Sequence, residues 1–208
     1  MFITFEGPDG SGKSSQVASL AEYLDKQGFK VLVTREPGGT AIGDQIRTIL
    51  SDLGNEEMHP RAETLLFLAA RAQIVEQVIL PALAEGRVVL CDRYADSTLA
   101  YQGYGHQHDL QQIQTLLDFA TGGLKPDLTL LLDVDVEVGL QRRATDGQWN
   151  RLDAYNLEFH RRVRQGYHHL VQADLRRWVV VDASQPADQV QATIRQIIID
   201  RLGVTSTK

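Results

Sequence analysis

Short apolar runs alternate along the chain with longer segments in which apolar residues recur every three or four positions. Most of the short runs do not alternate with polar residues, which is typical of strands covered on both faces. They predict strands near residues 2–6, 31–34, 88–91, 128–133 and 179–182. The longer segments predict helices near residues 13–27, 41–52, 60–85, 97–102, 110–121, 136–144, 153–176 and 186–202. This alternation predicts an α/β fold with a parallel sheet. Pro81 is expected to kink or divide its helix.

A glycine-rich segment follows the first predicted strand, and it matches the phosphate-binding pattern G-x-x-x-x-G-K-[ST] over Gly7–Ser14. The glycines allow a tight turn whose backbone N–H groups converge on phosphate oxygens. Lys13 would bring a cation to the β- and γ-phosphates, and the Ser14 hydroxyl would bind Mg²⁺. The pattern predicts a nucleotide-phosphate site made of Gly7, Gly10, Ser11, Gly12, Lys13, Ser14 and Ser15.

An acidic residue, Asp92, ends the apolar run 88–91. The carboxyl ends of parallel strands lie at the ligand-binding edge of such sheets, so Asp92 is expected beside the glycine-rich segment. A carboxylate there typically holds Mg²⁺ directly or through water. Arg93 is either an ion-pair partner of Asp92 or a clamp on a substrate phosphate, and we favour the clamp.

Composition narrows the classes of protein. The chain has 208 residues, 43% of them hydrophobic, which predicts a single domain over residues 1–208 with a sizeable core. The net charge of −6 argues against general affinity for nucleic acid or for an anionic membrane. Neither a membrane-spanning run nor a secretory signal is expected. The single cysteine, Cys91, predicts a reducing, cytoplasmic setting, and we interpret it as a buried strand residue.

Three further strings complete the pattern: Arg35-Glu36-Pro37-Gly38-Gly39-Thr40, Asp92-Arg93-Tyr94, and Ser97-Thr98 with Ala100-Tyr101-Gln102. Together with the glycine-rich segment they closely resemble the bacterial thymidylate kinase family, over essentially the whole chain. Members of that family transfer a phosphoryl group from ATP to dTMP, giving dTDP. The resemblance implies a three-layer P-loop NTPase fold with a five-stranded parallel sheet, Mg²⁺ as cofactor and a homodimer.

The acceptor half of the site follows from the same resemblance. It implies that dTMP is bound by Asp9, Arg35, Phe67, Arg71, Arg93, Thr98, Tyr101 and Gln102. Phe67 and Arg71 are four residues apart and share a helix face, so a ring could stack on thymine while a guanidinium donates to its O4. Tyr101 would exclude a 2′-hydroxyl, and Asp9 would accept from the 3′-hydroxyl. The ionised acceptor phosphate requires cations more than a general base.

The segment between residues 140 and 165 is basic, with six arginines against Asp146, Asp153 and Glu158. Its polar part predicts a mobile lid over about residues 140–152. Family members without an arginine in the P-loop carry catalytic arginines in this lid, and Gly10-Ser11 offer none. Arg142 resembles the residue that stacks on adenine, whereas Arg143 and Arg151 are candidates, with Lys13 and Arg93, for the catalytic cations. Asp146 departs from the family pattern, which often has a cation there.

Two other functions remain as alternatives. One is a P-loop kinase that acts on deoxynucleosides or on other monophosphates, and Arg71, Thr98 and Tyr101 argue against it. The other is a nucleotide-binding switch without enzymatic activity. Lys13 and Asp92, together with a full set of acceptor-side residues, argue against that second alternative.

Overall fold

Five parallel strands form the centre of the structure, a computed structural model that describes residues 1–145, 147 and 149–202. The strands are β1 (Phe2–Glu6), β2 (Val31–Arg35), β3 (Val88–Asp92), β4 (Leu128–Asp133) and β5 (Trp178–Asp182). Their order across the sheet is β2-β3-β1-β4-β5, and every neighbouring pair is parallel. The predicted strands and their parallel arrangement are therefore confirmed. The strand that precedes the glycine-rich segment, β1, is a neighbour of β3, the strand that ends in Asp92.

The helical elements alternate with these strands as predicted. They are α1 (Lys13–Lys26), α2 (Ala41–Ser51), α3 (Pro60–Ile74), π1 (Val75–Ile79), α4 (Leu80–Ala84), α5 (Ala95–Thr98), π2 (Leu99–Gly105), α6 (Leu110–Thr121), α7 (Val136–Thr145), α8 (Leu157–Ala173) and α9 (Ala187–Leu202). The predicted interruption near Pro81 takes the form of the π-helical turn π1. The helix predicted from residue 153 begins at Leu157, because the Asn156 side chain accepts from the Phe159 N–H and caps it.

Side chains from alternate positions of the strands pack on opposite faces of the sheet, which gives three layers. Phe5 and Leu90 lie in a buried cluster with residues of α1 and α9. Phe2 and Cys91 lie in a second buried cluster with residues of α3, π1 and α4. The prediction that Cys91 is a buried strand residue is confirmed. Burial on both faces explains why β1 and β3 are short, largely apolar runs.

One helical run in the described part of the chain, Pro60–Ala84, would be long and apolar enough to cross a membrane by length and composition alone. The sequence analysis did not expect such a run. It carries the buried polar side chains of Glu63 and Arg71, and its turn π1 packs against the sheet. The core helix of a soluble protein passes the same test, and we interpret Pro60–Ala84 as a core element.

Candidate active site

A cleft of about 840 Å³ lies at the carboxyl edge of the sheet. It is bordered by the glycine-rich loop, by the ends of β2 and β3, and by residues of α2, π2 and α7. It brings together most of the predicted site residues: Asp9, Gly10, Gly12, Lys13, Ser14, Ser15, Arg35, Phe67, Asp92, Arg93, Thr98, Tyr101, Gln102, Arg142 and Arg143. Four predicted residues are outside its lining: Gly7, Ser11, Arg71 and Arg151.

The glycine-rich loop folds around the ammonium group of Lys13. Lys13 Nζ donates to the Gly7 carbonyl at 3.0 Å, to the Pro8 carbonyl at 2.8 Å and to Ser11 Oγ at 3.2 Å. Gly7 and Ser11 therefore bind the Lys13 ammonium group without lining the cleft themselves. Burial and the nearby Arg93 lower the pKa of Lys13 to about 8, against the opposing effect of nearby carboxylates. A bound polyphosphate would favour the charged form of this lysine.

The two predicted Mg²⁺ ligands lie in contact with each other, because the Ser14 hydroxyl donates to Asp92 Oδ2. Both line the cleft. A hydroxyl and a carboxylate are hard oxygen donors, and Mg²⁺ is typically held by one or two such groups while substrate phosphates and waters complete its shell. The donor set therefore fits the ion. No group of three or more His, Cys, Asp or Glu side chains suited to a metal occurs in the described residues.

Arg93 lies where the glycine-rich loop meets the acceptor side of the cleft. Its Nη2 donates to Asp9 Oδ1 at 2.6 Å and to the Tyr101 hydroxyl at 3.1 Å, while Nη1 donates to the Gly7 carbonyl at 3.1 Å. The Tyr101 hydroxyl itself donates to Asp9 Oδ2 at 2.6 Å. Burial raises the pKa of Asp9, but Arg93, Lys13 and the Tyr101 hydrogen bond outweigh it and hold that pKa at about 2. The ion-pair partner of Arg93 is thus Asp9.

Arg71 is 1% exposed and lies behind the cleft wall. Its Nε donates to Glu36 Oε2 at 2.7 Å, its Nη1 to Thr98 Oγ1 at 2.7 Å, and its Nη2 to the Tyr94 carbonyl at 2.9 Å. Its Nη2 also forms an ion pair with Glu36 Oε2 at 2.6 Å. A guanidinium has five N–H donors, so these contacts leave one Nη1 donor beside Thr98, which lines the cleft.

Arg151 contacts the last turn of α2 and the first turn of α3. It is 6% exposed, and its Nη2 donates to Glu63 Oε2 at 2.5 Å while its Nε donates to the Leu50 carbonyl at 3.0 Å. Its Nη1 donates to the Tyr155 hydroxyl at 2.8 Å. These contacts differ from those expected of a catalytic cation, because a buried carboxylate and two other oxygens already occupy the guanidinium.

The other two lid arginines face the donor side. Arg142 Nη1 donates to the Ala183 carbonyl at 3.1 Å and lies 3.5 Å from the Gly10 carbonyl, so it joins the glycine-rich loop to the loop after β5. Arg143 donates to both carboxylate oxygens of Asp153, at 3.2 and 2.8 Å. Hydrogen bonds to Asp153 raise the pKa of Arg143 further above its ordinary value. Asp146 lies outside the described residues.

Comparison with known proteins identifies the family. The family model described as thymidylate kinase matches residues 5–194. Thymidylate kinase of Roseiflexus castenholzii is 51% identical over 95% of this chain and 92% of its own, and that of Thermomicrobium roseum is 54% identical over 95% of each. The chain belongs to the thymidylate kinase family. The crystal structure of thymidylate kinase from Ehrlichia chaffeensis has a TM-score of 0.77 and 34% identity, and it covers 95% of this chain and 98% of its own.

Two buried polar residues behind the cleft wall, Glu6 and Tyr167, were not singled out in the sequence. Buried Glu6 accepts from the Tyr94 N–H at 2.8 Å, from Ser97 Oγ at 2.5 Å and from the Tyr167 hydroxyl at 3.0 Å. Both hydroxyls in turn accept from Arg93 Nη1 at 3.2 Å. Burial, reinforced by Asp96, raises the pKa of Glu6 to about 7. A polar residue that ends an apolar strand run at the ligand edge was the available signal.

Arg47 was missed as well. It lines the cleft, and its Nη1 donates to the Pro37 carbonyl at 2.9 Å. Burial, followed by repulsion from Arg35, lowers the pKa of its guanidinium. Its spacing from Gly43 and Leu50, four residues before and three after, places it on the buried face of α2 and was the available signal.

Proposed function

We propose that this chain transfers the γ-phosphoryl group of ATP to dTMP, giving dTDP and ADP, as a step of dTTP synthesis. Family membership over nearly the whole chain supports this reaction. The observation that carries it is the position of Arg93, whose guanidinium donates both to the Gly7 carbonyl of the donor loop and to Asp9 and Tyr101 on the acceptor side. A cation there can contact both phosphate groups between which the phosphoryl moves.

The transfer itself requires charge neutralisation and alignment. A phosphate monoester is largely ionised at neutral pH, so its oxygen attacks the γ-phosphorus without a strong general base. The bond from the γ-phosphorus to the β–γ bridging oxygen breaks, and ADP leaves with the electron pair. Lys13, Arg93 and Arg143 supply cations on the donor side of that path, and Arg35 and Arg47 supply cations on the acceptor side. Removal of such a cation commonly lowers the rate by about 10³-fold or more.

Ser14 and Asp92 would hold Mg²⁺ in this scheme. When bound, the ion would neutralise charge on the donor phosphates. The glycine-rich loop would bind the same phosphates through the backbone of Gly7, Gly10, Ser11, Gly12 and Lys13, with Ser15 at the start of α1. Arg142 would lie against adenine, because it bridges the loop to the carbonyl of Ala183 beyond β5.

Recognition of dTMP is assigned to the other half of the cleft. Phe67 would stack on thymine, and the remaining Nη1 donor of Arg71, beside Thr98, would meet its O4. Cytosine carries an amino group at that position and would oppose a donor with a donor. Tyr101 would exclude a 2′-hydroxyl, Asp9 retains acceptor capacity for the 3′-hydroxyl, and Gln102 completes the wall.

The architecture around this site is proposed as one domain over residues 1–208 with a lid over about residues 140–152. A homodimer is proposed because α3 and α6 pack against each other while each exposes large apolar side chains, among them Leu65 at 57% and Phe119 at 88%. Large exposed apolar side chains on two neighbouring helices are typical of a surface that a second protein chain covers. A cytoplasmic location, with neither nucleic acid nor membrane as partner, is proposed from the charge and from the single buried cysteine.

A substrate panel tests the proposed function. Purified protein is mixed with ATP, Mg²⁺ and one acceptor at a time (dTMP, dCMP, UMP or thymidine), and ADP release is coupled to NADH oxidation. We expect dTMP to give the highest kcat/KM. Preference for another acceptor would indicate a different P-loop kinase, and absence of ADP release with every acceptor would indicate a nucleotide-binding switch.

A further inference from the structure

Glu63 is a buried carboxylate that contacts both halves of the cleft through other side chains. It lies in the first turn of α3 and is 0% exposed. Its Oε1 accepts from Gln102 Nε2 at 2.8 Å and lies 3.1 Å from His106 Nε2. Its Oε2 accepts from Arg151 Nη2 at 2.5 Å and from the Tyr155 hydroxyl at 2.8 Å. These four partners use the acceptor capacity of the carboxylate.

One branch of this network leads to the acceptor side. Gln102 is 1% exposed, lies in π2 directly after Tyr101, and lines the cleft. Its amide nitrogen donates to Glu63, so the carboxylate fixes the orientation of the Gln102 side chain. A ligand that contacts Gln102 therefore acts on a side chain that Glu63 holds.

The second branch leads to the lid. Arg151 is fastened by Glu63 and by the Leu50 carbonyl, and its backbone N–H donates to the Ser51 carbonyl at 3.3 Å. Its neighbours Asn150 and Leu152 line the cleft. Arg151 thus attaches the far end of the lid segment to the last turn of α2.

Asp153 continues this branch to the donor side. It is 1% exposed, lies two residues after Arg151, and accepts from the Asn150 N–H at 3.0 Å. The same carboxylate accepts two hydrogen bonds from Arg143, which lines the cleft. The Arg143 guanidinium is therefore bound to a carboxylate on the segment that Arg151 fastens.

We propose that Glu63 is a positioning residue that couples occupation of the acceptor site to the placement of Arg143. It acts through Gln102 on one side and through Arg151 and Asp153 on the other. Arg151 is then an anchor of the lid and has no contact with the reacting phosphates. The proposal rests on the proposed function of the cleft. Burial raises the pKa of Glu63, but hydrogen bonds from its four partners outweigh it and hold that pKa at about 2, so the network is charged at working pH.

Calorimetric titration measures this coupling directly. A non-hydrolysable ATP analogue with Mg²⁺ is titrated into the protein with and without saturating dTMP. In the unmodified protein we expect dTMP to lower the Kd of the analogue by at least about fivefold, the lower range of coupling between two sites. In Glu63→Gln, which keeps the shape and removes the charge, we expect a ratio of about one. Equal ratios in both proteins, or a ratio of one in the unmodified protein, would overturn the proposal.

Steady-state kinetics of a mutant cycle separates positioning from a purely structural role. Glu63→Gln and Arg151→Met are each expected to lower kcat by about tenfold or more, and the double variant is expected to be no slower than the worse single variant. Effects that multiply would overturn the proposal, and so would an unchanged kcat in well-folded single variants. Glu158→Gln is the matched control, because Glu158 is exposed and pairs with the exposed Arg161; its kcat should not change.

A milder variant covers the case in which Glu63→Gln does not fold. Tyr155→Phe removes one hydroxyl that donates to Glu63 and accepts from Arg151. In Tyr155→Phe we expect dTMP to lower the Kd of the ATP analogue, but by a smaller factor than in the unmodified protein. The same factor in both proteins would overturn the proposal. The proposed function is tested independently, because it is refuted if the unmodified protein does not phosphorylate dTMP. Normal turnover of the unmodified protein with unchanged coupling in the variants refutes only the role of Glu63.

Discussion

Gly10 allows the glycine-rich loop to lie directly against α7, the helix that carries Arg142 and Arg143. A Cβ atom at position 10 would lie 2.0 Å from the Gly139 carbonyl oxygen and 2.6 Å from its carbon, both backbone atoms. The contact is reciprocal, because a Cβ at position 139 would lie 2.3 Å from the Asp9 carbonyl oxygen. Neither element can accept a side chain there without moving its backbone.

The substitution Gly10→Ala should therefore impair catalysis more than stability. To restore an ordinary contact, the loop and α7 would separate by about 1 Å or more, and a displacement of that size in a catalytic element costs about 10²-fold in rate. The alanine also adopts a left-handed backbone at φ 72°, which costs about 1–2 kcal/mol in the free energy of unfolding. We expect kcat/KM for ATP to fall by about 10²-fold.

Gly86→Ala provides a matched control. Gly86 has nearly the same backbone, with φ 73°, but a Cβ there would meet nothing within 4 Å. Urea unfolding should show the cost of the left-handed backbone in both variants and a further loss in Gly10→Ala from the displaced backbone, and only Gly10→Ala should lose activity in the coupled assay. Equal activity in the two variants would refute the argument that activity requires close contact between the glycine-rich loop and α7.

Three other predictions concern single side chains. Glu36→Gln should lower the free energy of unfolding by about 3 kcal/mol, because it leaves the buried Arg71 cation without its carboxylate. Urea titration measures this free energy, and a loss below about 1 kcal/mol would contradict burial of the pair. Tyr101→Ala should raise kcat/KM for ribothymidine monophosphate relative to dTMP, and an unchanged ratio would refute steric exclusion at C2′. The pKa of Glu6 is raised from 4.5 to about 7, so its stabilising contribution is full below pH 4.5 and is lost as pH rises through about 7. Between those pH values the unmodified protein should lose about 3 kcal/mol relative to Glu6→Gln, and a constant difference in urea unfolding would contradict the raised pKa.

The sequence predicted the parts of the fold that depend on local patterns. β1 and β3 are buried on both faces, so they appear as short, largely apolar runs, and the turn from Gly7 to Ser14 requires residues that few other structures share. The start of α8 was placed four residues too early. Its position is set by one hydrogen bond from the Phe159 N–H to Asn156, which a broad periodic pattern does not resolve.

The buried acids could not be predicted in the same way. The positions of Glu6 at a strand end and of Glu36 in a motif are visible in the sequence, but nothing in the spacing of neighbouring residues identifies the partners of Glu6, Glu36 and Glu63. The direction of Arg151 depends on Glu63, 88 residues earlier in the chain. The family resemblance made Arg151 a candidate for a catalytic cation, whereas the three-dimensional partner decides which way the side chain points. Contacts between distant segments were thus the main information that the sequence lacked.

Arg93 has a left-handed backbone at φ 70°, a conformation that costs most side chains about 1 kcal/mol or more. A glycine at this position would relieve that cost and would also delete the guanidinium that touches both sides of the cleft. A glycine would also leave Asp9 without its ion-pair partner, so the side chain of Arg93 stabilises the fold while its backbone is strained. The strained backbone at Arg93 is thus kept together with contacts that serve both the fold and the proposed reaction.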